Sequence, residues 1–123
     1  MNMNKLTEKA QEAILAAQKL AEERNHNQLE TEHLLKALVE QEDGVVPQIL
    51  SKLGVDNRQI KLQIESELGR LPKAYGTTQV YLSPRLKQVF DAAEKEAANF
   101  KDEYISTEHF LLAIVDKDTG ASG

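Results

Sequence analysis

Several kinds of residue and motif are missing from the sequence, and each absence narrows what the chain can be. It contains no cysteine, which excludes a disulfide framework and thiolate chemistry and fits a reducing compartment. Its basic residues are spread among acids and its net charge is −5, so it has no cluster of the kind that binds nucleic acid. No apolar run is long enough to span a bilayer, and no signal peptide is seen. We therefore expect a cytoplasmic protein without nucleic-acid or membrane partners.

Catalytic motifs are also missing. The phosphate loops GxxxxGK[ST] and GxGxxG do not occur, and no nucleophile elbow surrounds a serine. A Ser–His–acid set can be assembled only on paper, from Ser83, His109 and Asp102. The sequence has no HExxH motif, and adjacent Glu–His residues of a helix point about 100° apart, so they cannot share one metal ion as an i, i+4 pair would. We predict no catalytic residues, no metal and no cofactor in this chain; a metal-dependent hydrolase built on the Glu–His pairs is the rival from another class.

The most informative feature that is present is a long internal repeat. Thr31-Glu32-His33-Leu34-Leu35 returns as Thr107-Glu108-His109-Phe110-Leu111, a shift of 76 residues. Without a gap, the same shift aligns Leu6 with Leu82, Ala16-Ala17 with Ala92-Ala93 and Gly44 with Gly120. A repeat of this length predicts a fold built from two related units.

The length of 123 residues and the content of 41% hydrophobic and 28% charged residues indicate one globular domain. Apolar residues at helical spacing predict an all-α fold. The predicted helix starts are Thr7, Glu30 or Thr31, Val45, Asp56 or Asn57, Ser83-Pro84, and Ser106 or Thr107. The predicted buried faces are Leu34, Leu35, Leu38 and Val39 in the second helix, Leu86, Val89, Phe90, Ala93, Ala97 and Phe100 in the fifth, and Phe110, Leu111, Ile114 and Val115 in the sixth. Gly44 is expected to end the second helix.

The repeat divides the single domain, 1–123, into a first unit of four helices at 6–70, a linker at 71–81 and a second unit at 82–123. Only three residues follow Gly120, so we expect the second unit to lack its last two helices, as in a fragment of a longer protein. The apolar face of the sixth helix would then lack its cover, and we expect either self-association or loosened packing to compensate.

The repeated histidines are expected to pack in the first turn of their helices and to hydrogen-bond a neighbouring loop. Glu32 and Glu108 either complement the helix dipole at the surface or have a functional role, and the residues leave both readings open. Thr7 and Ser83 are predicted helix N-caps.

A twofold helical repeat with a T-E-H motif opening the second helix of each unit resembles the Clp N-terminal repeat domain, the substrate-facing domain of the hexameric Clp ATPases. Three segments are similar to the ClpB-type disaggregases: Gly69-Arg70-Leu71-Pro72-Lys73, Leu82-Ser83-Pro84 with the linker length before it, and Asp102-Glu103-Tyr104-Ile105-Ser106. The T-E-H spelling in both copies is also typical of the ClpC branch.

This resemblance implies a mobile adaptor that recognises unfolded or aggregated polypeptides. The parent protein would be an ATP- and Mg-dependent hexameric ring with ATPase modules beyond residue 123, and it would disaggregate stress-damaged proteins with the DnaK system. The resemblance also implies two substrate pockets, one holding Thr7, Asp102 and Glu108 and the other holding Glu32 and Ser83. The alternative is an adaptor- or phosphoarginine-binding domain of a ClpC- or ClpA-type unfoldase that serves a protease.

Overall fold

The computed structural model describes residues 2–76, 79–118 and 120–123, so positions 77 and 78 of the predicted linker lie outside the described residues. Within these ranges the chain forms α1 (Glu8–Glu23), α2 (Thr31–Glu40), α3 (Val45–Lys52), α4 (Asn57–Gly69), α5 (Pro84–Asn99) and α6 (Thr107–Lys117). A 3₁₀ turn at Met3–Lys5 precedes α1, and two short strands are present, β1 (Gln28–Leu29) and β2 (Tyr81–Leu82). The predicted all-α class is confirmed, and strands of two residues are too short to leave a periodic signal in the sequence.

The helices begin where short polar side chains can accept a hydrogen bond from the first turn. Thr7 Oγ1 accepts from the backbone N–H of Ala10 at 3.2 Å, and Ser83 Oγ accepts from that of Leu86 at 3.1 Å. These caps satisfy backbone donors that have no partner inside the helix. The open choices at the other helix starts resolve to Glu30 for α2, Asp56 for α4 and Ser106 for α6.

The first helix of each repeat ends in the same way. Asn25 after α1 and Lys101 after α5 have φ angles of 60° and 57°, and their positions differ by the repeat shift. The next residues close the turn, since His26 N–H donates to Ala21 O at 2.9 Å and Asp102 N–H to Ala97 O at 2.8 Å. Asparagine adopts this left-handed conformation readily, whereas lysine does not. Because both repeats have the turn, the repeated backbone fold imposes it and not a favourable side chain.

The core lies between the helices of the two repeats. Ala10, Ala13, Ala17 and Ala21 on α1 are all fully buried, and such small side chains allow neighbouring helices to approach closely. Larger side chains fill the centre, where the rings of Phe90 and Phe110 lie 5.5 Å apart. Each fully buried Leu, Val or Phe of this core contributes roughly 1.5–3 kcal/mol relative to an exposed one.

An ion cluster holds α4 against α1 and α2 in the first repeat. Both Glu65 carboxylate oxygens accept hydrogen bonds from Arg24 at 3.0 Å, and Lys36 Nζ lies 3.0 Å from Glu65 Oε1. Hydrogen bonds from Arg24 and Lys36 lower the pKa of Glu65 to about 2. The cluster fixes α4 over the outer side of α2.

Two apolar residues that the periodicity assigns to the core are exposed. Phe100 at the end of α5 is 63% exposed and Val115 on α6 is 66% exposed, so the prediction that they are buried is wrong. Val39, the repeat equivalent of Val115, is only 3% exposed. The first repeat packs α4 on this side of α2, whereas no helix among the described residues covers the same side of α6.

The prediction that Gly44 ends α2 is also wrong. Helix α2 ends at Glu40, and Gly44 is the N-cap of α3 with an ordinary φ of −82°. A Cβ at Gly44 would lie 2.8 Å from Cβ of Gln41, closer than two carbon atoms can pack. Glycine is required there because of this close approach and not because of a left-handed turn.

The repeated histidines pack in the first helical turn as predicted, but their partners differ. His33 Nδ1 accepts from the backbone N–H of Glu30 at 2.9 Å, so the ring proton sits on Nε2 and is donated to His26 Nδ1 at 2.8 Å. Burial, with the neighbouring His26, lowers the pKa of His33 to about 4, and burial also lowers the pKa of His26. In the described part of the chain no group hydrogen-bonds His26 Nε2, which is buried.

We predict that acid weakens this fold at the His26–His33 pair. The folded pKa of His33 is depressed, so between its unfolded value near 6.5 and about 4 the unfolded chain binds a proton that the folded chain excludes. The free energy of unfolding should therefore fall by about 2 kcal/mol from pH 7 to pH 5. Urea unfolding followed by far-UV circular dichroism at the two pH values measures this loss, and equal stability at both would contradict the assignment.

The substitution His26→Asp gives the first repeat the partner that Asp102 supplies to His109 in the second. An aspartate would accept the His33 Nε2 proton, favour the charged imidazole and remove the unpaired His26 Nε2. We expect this variant to lose less stability than the parent between pH 7 and pH 5 in the same urea experiment. A loss at least as large as that of the parent would show that the two rings do not control the acid response.

Candidate functional site

Two short backbone pairings bring the helix starts of the two repeats together. Strands β1 and β2 are parallel, with Leu29 opposite Leu82, and an isolated parallel bridge joins Leu6 to Ile105. The two pairings are equivalent under the repeat, because the shift of 76 residues aligns Leu6 with Leu82 and Leu29 with Ile105. The start of the first helix in each repeat thus lies beside the start of the second helix in the other, as an approximate twofold relation requires.

Thr7 of the first predicted pocket lies at the Leu6–Ile105 bridge, next to the segment that leads into the helix carrying Glu108. The backbone N–H of Thr7 donates to Ile105 O at 3.0 Å, and that of Ile105 donates to Lys5 O at 2.8 Å. These bonds place the N-terminus of α1 next to the segment that leads into α6. The hydroxyl oxygen of Thr7 is occupied as the cap of α1, and the residue is half-buried.

The acids of this first pocket differ in their partners. Asp102 accepts from His109 Nε2 at 2.9 Å, and its side chain is 49% exposed. Glu108, in the first turn of α6, is exposed and forms no hydrogen bond or ion pair within the described ranges. Glu108 is therefore a free carboxylate at the start of α6, and Asp102 is hydrogen-bonded to His109 of the same helix.

Both residues of the second predicted pocket are buried, although Glu32 also lines a cavity of about 170 Å³ between α2, α4 and residues 121–123. Ser83 is only 2% exposed and its oxygen caps α5, so it positions the helix rather than facing solvent. Glu32 is 4% exposed and its carboxylate is already bound on both sides. One oxygen accepts from Arg85 Nη2 and the other from Ser122 Oγ, each at 2.7 Å.

The electrostatics of Glu32 reflect these contacts. Burial acts to raise its pKa, but the hydrogen bonds from Ser122 and Arg85 and the charge of Arg85 outweigh it and leave the pKa below the usual value. Glu32 is thus ionised, and the positive charge of Arg85 from the same chain balances its negative charge. The sequence did not single out Arg85 or Ser122. The repeat aligns Arg85 with Lys9, but only the fold shows that Arg85 reaches Glu32 in the other repeat, whereas Lys9 reaches Glu12 on its own helix.

An apolar cavity of about 230 Å³ lies between α1 and α5, beside β2. Ile14 and Phe90, which are repeat equivalents, line it together with the buried Leu29. Its rim includes Met3 and Leu82, which are 40% and 45% exposed. The sequence did not predict this cavity. Helical periodicity identifies the apolar face of each helix, but it does not show where the facing sides of two helices leave a gap.

The geometry gives no support to a hydrolase. Ser83 Oγ caps α5, whereas His109 contacts Ser106, with Nδ1 lying 3.0 Å from the Ser106 hydroxyl and accepting from the Ser106 backbone N–H at 2.9 Å. The His109 nitrogen that would have to take a serine proton is therefore engaged in the capping box of α6. In the portion of the chain that the structure describes, no group of three or more His, Cys, Asp or Glu residues could hold a metal ion. None of the helices described is long and apolar enough to cross a membrane.

Comparison with known proteins agrees with the repeat. The Clp repeat N-terminal domain family matches residues 5–123. The chain is 44% identical over 111 residues to the chaperone protein ClpB of Bdellovibrio bacteriovorus, covering 89% of this chain and 13% of that protein. It is 41% identical over 119 residues to ClpB of Clostridium tetani, covering 94% of this chain and 14% of that protein. The chain thus spans a small part of the length of these curated relatives.

Solved structures show the same fold. The N-terminal domain of Hsp104 from Candida albicans superimposes with a TM-score of 0.84 at 22% identity, covering 91% of this chain and 74% of that one. The ClpV N-domain in complex with a VipB peptide gives a TM-score of 0.82 at 22% identity, covering 97% and 74%. The ClpB names of the relatives favour the ClpB-type reading over the ClpC or ClpA alternative. The chain belongs to the Clp repeat N-terminal domain family, in its ClpB-type branch.

Proposed function

We propose that this chain recognises unfolded or aggregated polypeptides on behalf of a ClpB-type disaggregase. The observation that carries the proposal is the exposed, unpaired carboxylate of Glu108 at a helix start that lies beside Thr7. Such a carboxylate offers an anion to a lysine or arginine of a client, at low cost because no existing ion pair must be broken. Asp102, also accessible to solvent, adds a second acid.

The apolar cavity supplies the second half of the recognition. Met3 and Leu82 expose apolar surface at its rim, and Ile14 and Phe90 line it. Unfolded segments display apolar side chains that a folded protein hides, so a groove of this kind selects for the unfolded state. A structural relative, the ClpV N-domain, has been solved with a VipB peptide, which supports peptide binding as a use of this fold.

We propose the remaining properties for the whole protein from the same kinship. The domain itself is non-catalytic and holds no cofactor; ATP and Mg would be bound by ATPase modules elsewhere in the parent protein. That protein would act as a hexamer in the cytoplasm during stress, with the DnaK system as its partner. The support is the similarity to ClpB chaperones, of which this chain covers 13–14%.

We also propose that the 123-residue chain self-associates through the exposed side of α6. Phe100, Leu112 and Val115 are 63%, 50% and 66% exposed. Leu112 lines a groove of about 460 Å³ between α5 and α6, whose other lining residues are mostly polar or charged. The equivalent groove between α1 and α2 measures about 230 Å³ and contains Lys36 in place of Leu112. A second copy laid on this side would remove the apolar side chains from water.

The client-binding proposal predicts that Glu108→Ala and Thr7→Ala weaken binding to a reduced, carboxymethylated unfolded protein. Because Glu108 is exposed, its loss should cost about 0.5–1 kcal/mol, a roughly two- to fivefold increase in Kd. Fluorescence anisotropy of the labelled client measures this change. Thr7→Ser keeps the capping oxygen and Glu94→Ala removes an exposed acid in the middle of α5, so both serve as matched controls. Unchanged affinity in both alanine variants, with folding intact, would rule out the pocket.

Self-association predicts that Leu112→Lys lowers the average mass of the chain in solution. Lys36 is the repeat equivalent of Leu112 on α2, so the substitution gives α6 the residue found in the first repeat. A lysine charge in the contact between two copies would be costly to bury. Sedimentation velocity over a range of concentrations should show the parent shifting to larger species while the variant stays monomeric. A monomeric parent at every concentration would contradict the proposal, and Leu15→Lys, at another exposed position, controls for added charge.

A further inference from the structure

The Glu32 half of the site contains a guanidinium group from the chain itself. Arg85 Nη2 lies 2.7 Å from Glu32 Oε1 and 3.3 Å from Glu30 Oε1, and Nη1 lies 3.4 Å from Asp118 Oδ2. The side chain of Glu32 is 5% exposed and that of Asp118 is completely buried. Three acids thus converge on one arginine, which leaves the group with excess negative charge.

The residues after α6 close this arrangement. Ser122 binds the second oxygen of Glu32, and Thr31 Oγ1 donates to Asp118 Oδ1 at 3.3 Å. A Cβ at Gly120 would overlap the Nη1 atom of Arg85, so the backbone can lie against the guanidinium only because this residue is a glycine. The guanidinium is thus held by three acids and lies against the backbone at Gly120, while the Arg85 side chain remains 29% exposed.

The equivalent place in the other half is open. Lys9 corresponds to Arg85 through the repeat, but its ammonium lies 3.7 Å from Glu12 on its own helix and its side chain is 46% exposed. The residue equivalent to Glu30 is Ser106, which removes one acid. A lysine presents a single point charge, whereas the forked guanidinium of arginine can bind several carboxylates at once. Glu108 is therefore left without the cation that Glu32 has.

We propose that Arg85 is an internal ligand that closes the Glu32 half-site against clients. Within the proposed function, which this inference refines, the Glu108 side is the open recognition site. The Glu32 side takes the guanidinium of an arginine side chain from outside only when Arg85 is displaced. Arg85 acts as the specificity-determining residue that makes two nearly symmetric sites unequal.

The test is a titration of the 123-residue chain with N-acetyl-arginine amide, followed by the backbone amide signals in NMR spectra. In the parent, signals at Thr7 and Glu108 should shift and those at Glu32 and Leu34 should not. In Arg85→Ala the Glu32 signals should shift as well, with an affinity at least about tenfold tighter than in the parent, the gain expected from one charge-assisted hydrogen bond. N-acetyl-citrulline amide, a neutral isostere, should have no effect on the Glu32 signals.

Gly120→Ala is a second variant that keeps every charge. The added methyl group pushes the Arg85 guanidinium out of its place, so this variant should also gain a response at Glu32. If Arg85→Ala does not fold, Gly120→Ala alone decides the matter. The double variant Arg85→Ala/Glu32→Gln should lose the new response, since the acid that holds the ligand is then neutral.

The outcomes separate this inference from the proposed function. Shifts at Glu32 in the parent as large as those at Glu108 would overturn the closing role of Arg85, even if clients bind the domain. Folded Arg85→Ala or Gly120→Ala without a new response at Glu32 would also overturn it. A new response at Glu32 in these variants, with no effect of Glu108→Ala on client binding, would leave the internal ligand standing and remove the proposed client pocket.

Discussion

The parallel pairing of Leu29 with Leu82 and of Leu6 with Ile105 is the constraint on which the rest of the structure depends. Each pairing uses residues just before a helix, so it fixes where two helices from different repeats begin. Helix starts carry free N–H groups and partial positive charge, which makes them natural places for acids and for polar ligands. The four residues involved are far apart in the sequence, and their backbone hydrogen bonds convert a tandem duplication into one domain.

The backbone is nearly symmetric, whereas the side chains are not. His26 stands where the second repeat has Asp102, Arg85 where the first has Lys9, and Lys36 where the second has Leu112. The local environments differ accordingly. The first repeat has a neutral His26–His33 pair where the second has His109 bound to Asp102. Glu32 is bound by Arg85 whereas Glu108 is exposed, and the side of α2 that carries Lys36 is covered by α4 whereas the side of α6 that carries Leu112 is exposed. Such exchanges give one repeated scaffold two different surfaces, and we propose that the one bearing Glu108 serves recognition.

Much of the fold follows from the sequence, because helix starts have local causes. Caps such as Thr7, Asp56 and Ser83 depend on a few neighbouring residues, and the helix positions follow from them. Predictions of burial that depend on a helix distant in the sequence were less accurate. Phe100 and Val115 belong to regular apolar stripes, yet burial needs a neighbouring helix that periodicity does not show.

The candidate site shows the same limit. The residues Thr7, Asp102, Glu108, Glu32 and Ser83 came from the resemblance. The structure places four of them at helix starts and Asp102 in the turn that follows α5. It also adds contacts that no local pattern contains, since Glu32 meets Arg85 and Ser122 across long sequence distances. Gly44 shows that even a local signal can mislead. The glycine does not end α2; it is the N-cap of α3 and allows the backbone to lie close to the Gln41 side chain.

The central claim is that the paired helix starts on the Glu108 side form the recognition surface. Hydrogen–deuterium exchange of the chain with and without a saturating unfolded client tests it most directly. The account predicts slower exchange on client binding at residues 5–8 and 105–109, and at Val80 and Leu82, which line the apolar cavity, with the outer faces of α3 and α4 unchanged. Protection confined to α3 and α4, or spread evenly over the chain, would contradict it.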